Sequence, residues 1–371
     1  MNRLLAACFA LTSALALAES PSPNPPPARP TLEVAFVLDT TSSMSGLIEG
    51  AKAKIWSVAS RMAAGKPTPR IRVGLVGYRD RGDTYITKRF DLTDDLDSIY
   101  THLREFQAQG GGDFPEHVGQ ALGETVKLMS WSSNPKTMKM IFLVGDAPPH
   151  DDYKDEWNSK VWAKKAAEKG IVVNTIRCGT AADTEASFRA LSLLADGSFN
   201  SIEQGGGMVA VATPYDTEMA KLSAEVATKT LYAGTVAARE ENRVRAETVA
   251  AAPAAAAADR SAFMVHSTGP GGSMAPVAVS GAVDLVDAPA KVAELKPEEL
   301  PVELAKLSKK EQQAKVEELA TERKELQGRI VKLSKERADW IAKNSKSKAD
   351  SFDDRVMESV KAKAAGYGVA Y

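Results

Sequence analysis

Val34, Ala35, Phe36, Val37 and Leu38 follow one another without a polar interruption and run straight into Asp39. A strand with one face in water alternates apolar and polar side chains, so a continuous apolar run reads as a strand covered on both faces, at the centre of a parallel sheet. The chain from residue 31 onward fits that reading. Apolar runs near 32–38, 71–78, 85–90, 139–145, 171–177 and 198–202 alternate with helical patterns over 44–63, 94–107, 115–130, 156–169, 184–195 and 214–231. Such alternation predicts an α/β fold over residues 31–231, with a doubly wound, mostly parallel sheet. The short run from Tyr85 to Phe90 follows a Gly-Asp turn and is expected as an antiparallel edge.

Asp39, Thr41 and Ser43 emerge together at the carboxyl end of the first strand, where open α/β sheets bind their ligands. Three oxygen groups at alternate positions suit a hard cation such as Mg²⁺. The same residues also read as a helix start, with Ser42 or Ser43 as an N-cap. Two further segments bear on the choice. Gly110-Gly111-Gly112-Asp113-Phe114-Pro115-Glu116 precedes a helical pattern, and Met140-Ile141-Phe142-Leu143-Val144-Gly145-Asp146 is a second apolar strand ending in a carboxylate.

In the order and spacing of these three loops the chain resembles the von Willebrand factor type A domain, over roughly residues 31 to 230. The resemblance implies a Rossmann-like fold and a metal-ion-dependent adhesion site made of an Asp-x-Ser/Thr-x-Ser loop, a second-loop Thr and a third-loop Asp. By that resemblance Thr41 and Ser43 coordinate the ion directly, and Asp39 and Asp146 hold it through water or support its ligands. Asp113 stands where the family usually has Thr, which implies an added negative charge, tighter cation binding and a less electrophilic metal. The expected metal set is therefore Asp39, Thr41, Ser43, Asp113 and Asp146. The expected ion is Mg²⁺, with Mn²⁺ or Ca²⁺ as alternatives, and the expected partner is a protein offering an acidic or hydroxyl group.

Other residues offer weaker chemistry. His150, in Asp146-Ala147-Pro148-Pro149-His150-Asp151-Asp152, could touch the metal or a ligand, or could simply be solvated on its loop. His117 and Asp113 could imitate a carboxylate–imidazole metal pair, but the usual zinc spacing on one helix is missing. Asp113 and Glu116 equally suit a helix N-terminus. Asp80, Arg81 and Asp83 read as a charged surface turn. The glycine run at 110–112 has no following Lys-Ser/Thr pair, and no Ser lies in a Gly-x-Ser-x-Gly elbow. The expectation is a binding protein and not an enzyme. The alternatives are a metal-assisted hydrolase with Asp113 or His150 as general base, and a metal-free assembly scaffold acting through its C-terminal helices.

Residues 1–18 carry one early cation at Arg3, an apolar Leu/Ala stretch and Ala16-Leu17-Ala18, and read as a signal peptide followed by a proline-rich linker over 19–30. The mature product is then exported, periplasmic or secreted, with a bacterial envelope favoured. Cys8 leaves with the signal, and Cys178 remains as a buried small residue unable to form an internal disulfide. No other stretch is long and apolar enough to span a bilayer. A net charge of -1 argues against a generally basic nucleic-acid surface.

Beyond the α/β region the pattern weakens. Residues 232–290, with an Ala-rich run and Ser-Thr-Gly-Pro-Gly-Gly-Ser at 267–273, are expected as a low-complexity linker. Residues 291–371 are expected to be helical. Val316, Arg323, Ile330 and Arg337 fall at one seven-residue spacing, and Leu319, Leu326, Leu333 and Trp340 at the complementary one. The two arginines interrupt that seam, which suits a hairpin with a second helix carrying Phe352, Val356 and Val360 or packing against the α/β domain, with a self-associating coiled coil as the alternative.

Overall fold

The computed structural model describes residues 29–208, 210–268, 273–344 and 351–371. The expected signal peptide and nearly all of the proline-rich linker lie outside the described residues. In chain order the α/β region comprises β1 (Thr31–Asp39), α1 (Ser45–Ala63), β2 (Arg70–Tyr78), β3 (Thr87–Thr93), α2 (Leu96–Glu105), α3 (Val118–Leu128), β4 (Met138–Gly145), α4 (Ser159–Glu168), β5 (Ile171–Cys178), α5 (Ala182–Leu194), β6 (Phe199–Ile202) and α6 (Asp216–Thr228). The strands form one sheet in the order β3-β2-β1-β4-β5-β6. Only β3 runs antiparallel, at the edge against β2.

The apolar run of β1 is central because both of its faces are covered. Leu32, Val34, Phe36 and Leu38 point into the core shared with α1 and α2, while Ala35 and Val37 join Leu122, Val126, Trp162 and Phe188 on the opposite side. Each large apolar side chain buried this way stabilises the fold by roughly 1.5–3 kcal/mol. β1 pairs in parallel with β2 from Thr31 opposite Arg70 to Asp39 opposite Tyr78, and with β4 from Leu32 opposite Met138 to Leu38 opposite Val144. The chain winds one way from β1 into β2 and the other way through β4. The carboxyl ends of β1 and β4 therefore flank the crevice at which the strand order reverses.

Residues 232–290 depart from the expected linker. They form β7 (Tyr232–Gly234), α7 (Val236–Ala250), α8 (Ala254–Thr268) and β8 (Ala282–Asp284), with β7 and β8 paired antiparallel. α8 lies along α1 and α6. Its alanines Ala256 and Ala258 are buried, and their small side chains let the helix axes approach closely. The segment looked featureless because it is held by small residues and buried ion pairs and has few large apolar side chains.

The C-terminal region is helical, as expected: α9 (Val302–Ala305), α10 (Lys309–Asn344) and α11 (Phe352–Ala364). The seam of α10 is spent on the body of the protein. Val316 and Ile330 are buried in apolar surroundings, and the two interrupting arginines are buried against carboxylates. Arg323 Nη1 donates to Asp284 Oδ2 (2.7 Å) and Asp287 Oδ1 (2.9 Å). Arg337 donates from Nε to Asp216 Oδ1 and from Nη1 to Asp259 Oδ1, both at 2.7 Å. α11 docks on α1 and β4, with Phe352 6.0 Å from Phe36 between ring centroids. Of the arrangements the interrupted seam suited, the hairpin of α10 with α11 gives way to packing of each helix against the body of the protein, α10 on α6 and α8 and α11 on α1 and β4. No helix among the described residues is long and apolar enough to cross a membrane.

Candidate metal centre

β1 delivers Asp39 into the crevice fully buried. Its Oδ1 accepts from the Thr41 backbone N–H at 2.8 Å and from Thr41 Oγ1 at 2.6 Å, a local turn that holds the hydroxyl beside the carboxylate. Ser43 Oγ stands 3.2 Å from Thr41 Oγ1. The capping alternative fails: Ser42 Oγ donates to Gly110 O at 2.9 Å, and neither the 3₁₀ turn at Ser42–Met44 nor α1 has a side-chain cap. From β4, Asp146 brings its carboxylate to Asp39 and accepts from Gln204 Nε2 at 2.6 Å. Gln204 Nε2 also reaches Ser43 O at 3.2 Å, joining the first and third loops.

The second loop differs from expectation. Gly110 and Gly111 have φ of +81° and +88°, a left-handed turn open to glycine. A Cβ on Gly110 would stand 2.0 Å from Asp83 Oδ1, and one on Gly111 3.3 Å from Thr41 Cβ. The turn passes Thr41 and carries Asp113 outward, where its side chain is 65% exposed and 3.4 Å from His150 Nε2. Of the two second-loop carboxylates Glu116 is the buried one, 2% exposed at the start of the segment leading into α3, and the charge of Asp39 acts on it. A buried acid two residues before a helix reads in sequence as a helix-terminal charge. The usable signal was its setting: Pro115 before it and an apolar helix face directly after it.

Burial dominates the electrostatics. Desolvation raises Asp39 from 3.8 to about 7, against the Thr41 hydrogen bonds that lower it, and the Asp146 charge adds to the rise. Desolvation, then the charges of Asp39, Asp80, Asp83 and Asp113, raise Glu116 from 4.5 to about 9. Tyr78 is also pushed well up, by burial first and then by Asp39, Glu116 and Asp146. Asp39 Oδ2 and Glu116 Oε2 are buried with no hydrogen-bond partner among the described residues. An unpartnered buried carboxylate oxygen is costly unless protonated or placed against a cation. Asp39, Thr41, Ser43 and Asp146 offer only oxygen atoms, and that donor set fits a hard divalent ion.

The other sequence candidates separate from this group. His117 is fully buried, with Nε2 3.3 Å from Asp155 Oδ2, so it does not pair with Asp113. Asp80, expected on a surface turn, is 4% exposed and faces His150. Cys178 is buried and free.

The three loops, their sheet and the order of their carboxylates coincide with a match of residues 33–210 to one family. Those residues form a von Willebrand factor A domain. Human von Willebrand factor A domain-containing protein 7 is 33% identical over 124 residues, a third of this chain and 13% of that protein. The chain thus spans about an eighth of the length of this curated relative. Among solved structures, BatB from Bacteroides thetaiotaomicron matches 46% of this chain and 90% of its own, at 19% identity and a TM-score of 0.34. Proximal thread matrix protein 1 from the mussel byssus, solved with a zinc-occupied MIDAS motif, matches 47% of this chain and 42% of its own, at 16% identity and a TM-score of 0.38. In this von Willebrand factor A domain Asp39, Thr41 and Ser43 of the first loop and Asp146 of the third come together at the crevice, and the second loop holds a buried carboxylate, Glu116.

Proposed function

We propose that the protein is exported and binds a protein partner through a divalent cation held at the Asp39 crevice. The observation carrying this reading is the convergence of Asp39, Thr41, Ser43 and Asp146 from two strand ends, with Asp39 Oδ2 buried and unpartnered. Thr41 and Ser43 present hydroxyl oxygens, the carboxylates balance the ion's charge, and Gln204 fixes Asp146 relative to Ser43. When bound, the ion supplies an electrophilic position for an acidic or hydroxyl-bearing group of the partner, and the chain's own residues orient that position. Mg²⁺ is the favoured ion, with Mn²⁺ and Ca²⁺ as alternatives.

Titration calorimetry of the purified protein with Mg²⁺, Mn²⁺ and Ca²⁺ tests the ion. Binding is expected for the wild type and lost in the Asp39→Ala, Asp146→Ala double variant; equal heats from both proteins reject the centre. Affinity capture with and without chelator tests the partner, which should be released by the chelator. Fractionation of the host cell tests export, and a product confined to the cytoplasm rejects that part.

A further inference from the structure

The cluster around His150 belongs to no part of the Asp39 centre, yet one ligand atom each from Asp80, Asp113 and His150 lies within 4.8 Å of the other two. We infer that these three side chains form a second cation site, separate from the Asp39 centre and suited to a borderline transition metal of the Zn²⁺ class. The donor chemistry distinguishes the two: the first centre is all oxygen, whereas this one joins two carboxylates to an imidazole, which favours Zn²⁺ over Mg²⁺.

Several independent features prepare the cluster for an ion. His150 Nδ1 is 2.7 Å from Asp152 Oδ1, so the outer ring nitrogen is engaged by a carboxylate and Nε2 faces Asp80 and Asp113. Metal-ligating histidines are oriented in just this carboxylate–imidazole manner. The Tyr153 ring stacks on the imidazole at 4.3 Å and 12°, and its hydroxyl donates to Asp80 Oδ2 at 2.6 Å. That leaves Asp80 Oδ1, on a side chain only 5% exposed, buried and without a hydrogen-bond partner among the described residues, as is His150 Nε2. The loops are tied at the backbone: Glu116 N–H donates to Pro148 O at 3.0 Å and His150 N–H to Glu116 O at 2.9 Å. Three protein ligands leave a position open to solvent or to a ligand, since Asp113 stands at the surface.

The rival account is an imidazolium shared among Asp80, Asp113 and Asp152. Zn²⁺ titration of the purified full chain, stripped of metal and held in saturating Mg²⁺, separates the two. Two readouts serve: the ratio of zinc to protein after equilibrium dialysis, and the ring ¹⁵N shifts of the four histidines. The expected result is one zinc per chain with the His150 Nε2 signal moved to its metal-bound position. Asp113→Asn, at an exposed position harmless to folding, should weaken zinc about tenfold or more, and Asp152→Asn similarly. Asp39→Asn should leave the His150 response in place, whatever it does to Mg²⁺ and partner binding. The inference is overturned if zinc leaves the wild-type His150 ring unmoved, if Asp113→Asn binds as tightly as wild type, or if Asp39→Asn abolishes the response. The first two results leave the Asp39 reading untouched, and loss of Mg²⁺ binding at Asp39 alone leaves this one untouched.

Discussion

Arg260 on α8 clamps Asp97 on α2 with two parallel bonds, Nε to Oδ1 at 2.7 Å and Nη2 to Oδ2 at 2.6 Å, with 3% and 0% of their side chains exposed. A fork-on-fork pair shut away from water joins the segment after residue 232 to the von Willebrand factor A domain. Removing one member strands the other's charge, at a cost of about 3–5 kcal/mol. Arg260→Ala should lower the urea midpoint accordingly, whereas the paired change Arg260→Met with Asp97→Leu should recover most of the loss. Equal destabilisation by the single and paired changes would show that the charge pairing is not what matters.

The same integration governs the C-terminal helices. Phe352, Val356 and Val360 of α11 belong to the core that contains Phe36, Ile55 and Val58. Phe352→Ala should cost about 3–5 kcal/mol, as for other buried aromatic truncations. Unfolding followed by far-ultraviolet dichroism and by tryptophan emission should give one shared transition. Two separate transitions, with only the second unmoved by Phe352→Ala, would mean that the helices form an independent unit.

These two cases mark where the sequence was legible. The six strands and the helices between them were readable because period and apolar content agree there, as in β1 and α1, and the first and third loops followed from the strand ends at Asp39 and Asp146. The region holding α7 and α8 was not readable. Alanine carries no strong hydrophobic signal, and Arg245 and Arg260 look like surface residues until Asp95 and Asp97 appear opposite them, some 150 and 163 positions away in the chain. Arg323 and Arg337 suited packing against the α/β domain as well as a hairpin, and the choice was not readable because their carboxylates, Asp284 with Asp287 and Asp216 with Asp259, lie far away in the chain. In the second loop the spacing alone could not tell that Asp113 is exposed and Glu116 buried, because that depends on how Gly110 and Gly111 turn the backbone.

Cation binding should release protons. The folded-state values of Asp39 and Glu116 lie above their ordinary ones, at about 7 against 3.8 and about 9 against 4.5. Between those limits the cation-free folded chain holds more protons than the unfolded chain, so its stability is greatest below about pH 4 on this account and falls as pH rises through 7 and on toward 9. A cation needs the deprotonated carboxylates, so its affinity should rise over the same window. Calorimetry in two buffers of different ionisation enthalpy should show proton release near neutral pH, and Glu116→Gln should reduce it. Buffer-independent heats in the wild type would contradict this.

Gly145 controls how closely Tyr78 and Asp39 meet at the head of the crevice. A Cβ there would stand 2.3 Å from Tyr78 Oη and 3.3 Å from Asp39 Oδ2. Tyr78 Oη donates to Val144 O at 3.1 Å and is fully buried, so it has no open space to retreat into. Gly145→Ala should therefore cost about 1–3 kcal/mol by overpacking and weaken the cation response by displacing Asp39. Tyr78→Phe removes the atom in the way, at the loss of one buried hydrogen bond, about 1 kcal/mol. The Gly145→Ala, Tyr78→Phe double variant should then be more stable than Gly145→Ala alone and regain cation binding, a non-additivity that a double-mutant cycle of denaturation midpoints measures directly. Strict additivity would mean that the hydroxyl is not what excludes a side chain at residue 145, and that Asp39 is held by its Thr41 bonds alone.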